Sequence, residues 1–149
     1  MNGPRAGTGV QPAAPDRQVR RLGLRGVSGP VGKARDFTGR ALAEWCWADP
    51  RADDPDERER AEDVLLVVSE LVANAMTHGG GVLELVVTLE GDAVVVGATD
   101  GEARPPTVPT PGDPARPGGH GLQVVRRLAT SWDSTPQPAG KTVWARFER

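Results

Sequence analysis

The chain has 149 residues, a formal net charge of −2 and 26% charged residues, which fits one domain with a core of its own. That balance excludes a global basic field, so neither direct nucleic-acid binding nor attraction to an anionic membrane is expected. Cys46 is the single cysteine, which excludes an internal disulfide and points to a reducing, cytoplasmic setting.

Residues 1–17 are rich in Gly, Pro and Ala and read as a disordered tail, with the domain expected over 18–149. The tail lacks the apolar run of a signal peptide, and no later stretch is apolar and long enough to span a bilayer. A short strand is expected within 18–26. Residues 28–47 carry Val31, Ala34, Phe37, Ala41 and Trp45 at helical spacing, with Pro30 suited to a first turn. Cys46, between Trp45 and Trp47, reads as a buried small apolar residue.

The next helix starts with Asp54 as cap, Pro55 at the first position and Glu57 completing an Asp-x-x-Glu box. Its pattern runs to His78, where Gly79-Gly80-Gly81 permits left-handed backbone. "VLELVVTLE" (82–90) reads as a strand with Leu83, Leu85, Val87 and Leu89 on one face. Gly91-Asp92 fits a two-residue turn into a second strand, 93–100. Residues 102–117 carry six prolines and read as a long lid loop. A helix is expected over 118–132, opening on "GGHG", and an alternating closing strand over 140–149. The fold class is therefore α/β, a two-layer sandwich with a mixed, mostly antiparallel sheet and helices on one face.

The chemistry lies in "SELVANAMTHGG" (69–80). At 100° per residue, Val64, Val68, Leu71, Val72 and Ala75 form an apolar face, and Glu70, Asn74 and Thr77 form a narrow polar stripe about opposite. Two readings share that stripe. It is the wet side of an amphipathic helix, or it faces an enclosed polar site. In a site, the carboxylate can orient a water or hydroxyl as general base, and the carboxamide can offer a neutral oxygen to Mg²⁺. Gly118, Gly119 and Gly121 open a helix, where backbone N–H groups can converge on a phosphate or simply form a hinge. Asp100, ending a strand, can accept from the exocyclic amine of adenine or open a turn before Gly101. "GKT" at 140–142 is not a P-loop: position 135 is Thr rather than Gly, and a strand pattern follows where a P-loop needs a helix.

Glu-x-x-x-Asn late in a helix, a hairpin ending in Asp, a lid, Gly-x-Gly opening a helix and Gly-x-Thr before a strand follow one another in an order that resembles the GHKL superfamily. That superfamily has the Bergerat ATP-binding fold shared by gyrase and histidine kinases. The resemblance runs from about 18 to 148, and "ELVANAMTHG" is its most specific part. Within the superfamily the chain looks like the small actinobacterial anti-sigma factor serine/threonine kinases.

The resemblance implies ATP and Mg²⁺ as cofactors. It implies Glu70 as catalytic base and Asn74 as magnesium ligand and nucleotide contact. Asp100, with Gly101, is implied to read adenine. Gly119 and Gly121, with the adjoining lid, are implied to hold the phosphates, Gly118, His120 and Leu122 to belong to the nucleotide site, and Thr142 to help close the adenine pocket. His78 either reaches the nucleotide or simply ends its helix. The implied partners are an anti-sigma factor antagonist, whose Ser or Thr is phosphorylated, and a sigma factor; a homodimer is also expected. The superfamily's Asp-x-Gly-x-Gly reads "DGEARPP" here, with the second glycine missing. That departure motivates the alternative of a nucleotide-binding regulatory module without phosphotransfer activity. The chain has no room for a separate phosphoacceptor-histidine domain, so autokinase chemistry is not expected.

Overall fold

The computed structural model describes residues 17–78, 81–102 and 119–149, without the side chains of His78 and 119–121. Residues 1–16 of the expected tail and 103–117 of the expected lid lie outside these residues. The element order is β1 (Arg17–Gly23), α1 (Pro30–Glu44), α2 (Pro55–His78), β2 (Val82–Glu90), β3 (Ala93–Asp100), α3 (Gly119–Leu128), β4 (Ser131–Gln137) and β5 (Gly140–Phe147). Arg17, assigned to the tail from sequence, is instead the first residue of β1, paired with Glu90.

The strands form one five-stranded sheet in the order β1-β2-β3-β5-β4. Every described pairing is antiparallel, so the expected parallel component is missing among these residues. β4 was not expected: "SWDSTPQ" is polar and contains Pro136, which a central strand would not tolerate. β4 lies at the sheet edge, where Pro need not donate to a neighbour. The helix expected to run through 132 stops at Leu128 to make room for it.

Strand alternation sets the two faces. Val94, Val96 and Ala98 of β3, with Val143, Ala145 and Phe147 of β5, point into the core with the buried side chains of the helices. Val95, Gly97 and Thr99 point the other way, opposite Arg146, Trp144 and Thr142. Leu83 does not join the inward row as expected. A register irregularity between Val82 and Glu84 brings Val82 into the core instead, and Leu83 O accepts from Leu24 N at 2.9 Å.

α1 starts at Pro30 behind a left-handed Gly29 and buries Ala34, Thr38, Ala41 and Leu42. The buried Thr38 hydroxyl donates to Ala34 O at 2.8 Å. Cys46 is exposed rather than buried, because the chain turns left-handed there (φ 56°) just past the helix. Trp47 carries the burial instead, and its Nε1 donates to Asp92 O at 2.8 Å, fastening this turn to the β2–β3 hairpin.

α2 begins as expected, with Asp54 Oδ1 accepting from Asp56 N at 3.2 Å. The box is not closed: Glu57 Oε2 accepts from Asp49 N at 3.0 Å, so this carboxylate ties down the preceding loop. The helix buries Ala61, Val64, Val67, Val68, Leu71, Val72 and Ala75 between the sheet and its two neighbours. Arg35 of α1 reaches across to it, donating to Ser69 Oγ (2.8 Å) and Leu65 O (3.2 Å) and pairing with Glu62 at 3.5 Å.

Candidate functional site

α2 delivers Glu70 and Asn74 one turn apart, but to different environments. Glu70 is half-buried. Asn74 is only 7% exposed, among the few buried polar side chains described, and Thr77 is exposed. The stripe therefore does not simply face water. A carboxamide is normally kept from the interior by the cost of desolvating it. Placed there, Asn74 offers a neutral oxygen in an enclosed setting.

The same end of the sheet carries Asp100. α2 leads through the Gly81 turn into Val82, and Val82 pairs with Asp100 across β2 and β3. Parity places Asp100 on the inner face with Ala98 and Val96, where it is 1% exposed. Its Oδ1 accepts from Glu102 N at 2.8 Å, the Asx turn that carries the chain off the strand past Gly101.

Lys141 is the residue that sequence reasoning missed. It lies opposite Asp100 on β5 and is 4% exposed. Its Nζ donates to Asp100 Oδ1 (3.2 Å) and to Glu102 O (3.0 Å). It also lies 3.1 Å from Asp100 Oδ2, so the ammonium faces both oxygens of the buried carboxylate. The signal was present in the alternation of β5. Val143, Ala145 and Phe147 point inward, so position 141 must as well. The Gly-Lys-Thr spacing by itself does not show which side of the strand the lysine faces.

Gly140 makes this arrangement possible. A Cβ there would lie 1.9 Å from Asp100 O and 2.8 Å from Gly101 Cα, so only glycine lets the two backbones approach this closely.

Thr142 does not join Asp100. Parity puts it on the outer face, where its hydroxyl lies 2.7 Å from Thr99 Oγ1 in a groove also lined by Trp144 and Arg146. The structure thus gives the inward position of Gly-x-Thr to the middle residue, Lys141. Gly119 to Gly121 form the first turn of α3. The other end of that helix is fastened at the Arg146 end of the sheet, through Thr130 N to Arg146 O at 2.8 Å. Leu122 is buried in the core, so its side chain packs rather than lines a phosphate site. Gly118 and the side chains of His78 and His120 lie outside the described residues.

Among the described residues, no cluster of three or more His, Cys, Asp or Glu could hold a metal. The donor chemistry that remains, one buried neutral oxygen on Asn74, fits Mg²⁺, which binds through one or two protein oxygens and the phosphates of a nucleotide.

These features define an α/β sandwich in which α2 carries a half-buried Glu70 and a buried Asn74, and the paired ends of β3 and β5 carry the buried Asp100 and Lys141. Residues 31–147, most of the chain, match the histidine kinase-like ATPase domain family, and the chain belongs to that family. It is therefore a GHKL-type, ATP-binding domain. No curated protein shows significant sequence similarity to it. Among the described residues, no helix is long and apolar enough to cross a membrane.

Proposed function

We propose that the protein is an anti-sigma factor and ATP-dependent serine/threonine kinase of the cytoplasm, acting on an anti-sigma factor antagonist and thereby controlling a sigma factor. The observation that carries this reading is the pairing on α2 of a half-buried Glu70 with a buried Asn74, one turn apart. Glu70 would accept the hydroxyl proton of the substrate Ser or Thr as its oxygen forms a bond to the γ-phosphorus. The bond to the bridging oxygen breaks and ADP leaves with the electron pair. Asn74 would hold Mg²⁺, which when bound neutralises charge on the phosphates. Asp100 would hold the base and Gly119–Gly121 the phosphates. Such a protein would bind sigma factor and release it on engaging the antagonist, as a homodimer.

The test is transfer of the γ-phosphate from Mg-ATP to a purified antagonist. Transfer by wild type and its loss by at least about 10²-fold in Glu70→Gln, with ATP still bound, is the expected result. Undiminished transfer by Glu70→Gln would remove Glu70 from the chemistry.

A second reading is a regulatory module that holds nucleotide and transfers nothing. It is favoured by Lys141 occupying Asp100 and by the single glycine of "DGEARPP". Phosphoryl transfer depends steeply on positioning, so a reshaped base site can keep binding and lose chemistry. Any phosphorylated antagonist formed by the purified protein would eliminate this reading.

A further inference from the structure

The outward side of α2 is not uniformly polar. Leu66 is 40% exposed and Met76 46% exposed, two of the three large apolar side chains open to solvent among the described residues, and the half-buried Ala73 lies between them. Leu66 lies one turn before Glu70 and within about 40° of it around the helix axis. Glu59 and Asp63 continue that line towards the start of the helix, each within about 20° of Glu70. Glu62, on the side of α1, is paired with Arg35 at 3.5 Å. Glu59 and Asp63 have no cationic partner among the described residues. Burial, and then the charge of Glu59, hold the Asp63 carboxyl above the ordinary carboxylate range, the mark of negative charge that nothing offsets.

From this arrangement we infer that the outward line of Glu59, Asp63, Leu66 and Glu70 docks the protein substrate, and that the segment it takes carries an apolar side chain and Arg or Lys residues on one side of its acceptor Ser or Thr. The inference rests on the kinase reading proposed above, in which Glu70 meets the hydroxyl. Helix geometry gives the spacing. At a rise of 1.5 Å per residue, Leu66, Asp63 and Glu59 lie about 6, 10 and 16 Å from Glu70 along the axis. An extended segment advances about 3.3 Å per residue. Its apolar residue therefore falls about two positions from the acceptor, and its basic residues about three to five positions away. An apolar side chain seated on Leu66 removes exposed apolar surface from water. Cations beside Glu59 and Asp63 offset their mutual repulsion, and an acidic segment adds to it, so the line discriminates by charge.

Fluorescence anisotropy with labelled peptides at about 0.15 M salt tests the inference. The probes are Arg-Ala-Arg-Leu-Ala-Ser-Ala-Ala and the same sequence reversed, which cover both chain directions. The comparison peptides carry Glu in place of each Arg. Wild type is expected to bind a basic peptide of one direction at least about fivefold more tightly than its acidic counterpart. Glu59→Lys combined with Asp63→Lys should reverse that order. Leu66→Ser should weaken the basic peptide about fivefold and keep the preference for it. The lysines remove a repulsion rather than add one, and the wild-type comparison stands without any variant. Calorimetry of ATP binding on the same proteins separates this inference from the kinase reading. Wild type that binds ATP but holds basic and acidic peptides equally, or holds neither, overturns the docking inference and leaves the nucleotide site standing. An unreversed order in the double variant, or undiminished binding by Leu66→Ser, overturns it as well. No ATP binding by wild type removes the kinase reading and this inference together.

Discussion

Gly140→Ala is the substitution the structure makes most specific demands about. The new methyl carbon would lie 1.9 Å from Asp100 O, where real contacts essentially never fall under 3.0 Å, and the atoms it meets are backbone. One strand must therefore move by at least about 1 Å. The movement falls on the last rung between β3 and β5, where Asp100 faces Lys141. Overpacking of this kind costs roughly 1–3 kcal/mol, and one ladder hydrogen bond lost adds about 1 kcal/mol. The expected loss is about 2–4 kcal/mol. Urea unfolding should show it as a lower midpoint at an unchanged slope. Gly32→Ala is the control: it lies in α1 with nothing within 4 Å of its Cβ position, so it should match or slightly exceed wild type in stability. A Gly140→Ala protein within about 0.5 kcal/mol of wild type would refute the close approach, and with it the account of how Lys141 reaches Asp100.

Arg35→Ala should lower stability by about 1–2 kcal/mol, because it removes donors to Ser69 Oγ and Leu65 O that join α1 to α2. Arg35→Lys should recover less than half of that in the same urea assay, since a point charge cannot span three partners. Asp63 has its pKa raised by burial, and further by Glu59 one turn before it. Its folded-state proton is therefore held to higher pH than the unfolded one. The stability it contributes is present below the ordinary carboxylate range and lost as pH rises through the raised value. Asp63→Asn should accordingly gain on wild type in thermal unfolding between about pH 3 and about pH 7, and a constant difference across that range would contradict the shift.

Much of the fold was legible because its signals are local. Pro55 and Asp54 start α2, Gly91-Asp92 turns the hairpin, and the alternation of Val143, Ala145 and Phe147 marks β5. What escaped depended on partners distant in sequence. "SWDSTPQ" becomes a strand only because β5 supplies a neighbour on one side and the sheet edge excuses Pro136 on the other. Cys46 looked buried beside two tryptophans, yet the left-handed turn after α1 sends it outward.

The site divides in the same way. Glu70 and Asn74 announce themselves by interrupting an apolar helix, and the burial of Asn74 strengthens that signal. Thr142 was a motif position, and motif spacing alone does not say which side of a strand a residue faces. Counting by two from the core of β5 would have exchanged it for Lys141. The desolvated pair of Asp100 and Lys141 was invisible because 41 positions separate its members and only the β3–β5 register joins them.

ATP binding measured by calorimetry with and without Mg²⁺, on wild type and on Asn74→Ala, tests the central claim most directly. Wild type should bind ATP more tightly in the presence of Mg²⁺, and Asn74→Ala should lose that magnesium dependence while remaining folded. Equal enhancement by Mg²⁺ in both proteins would take Asn74 out of the metal site. No ATP binding by wild type under either condition would contradict the account at its root.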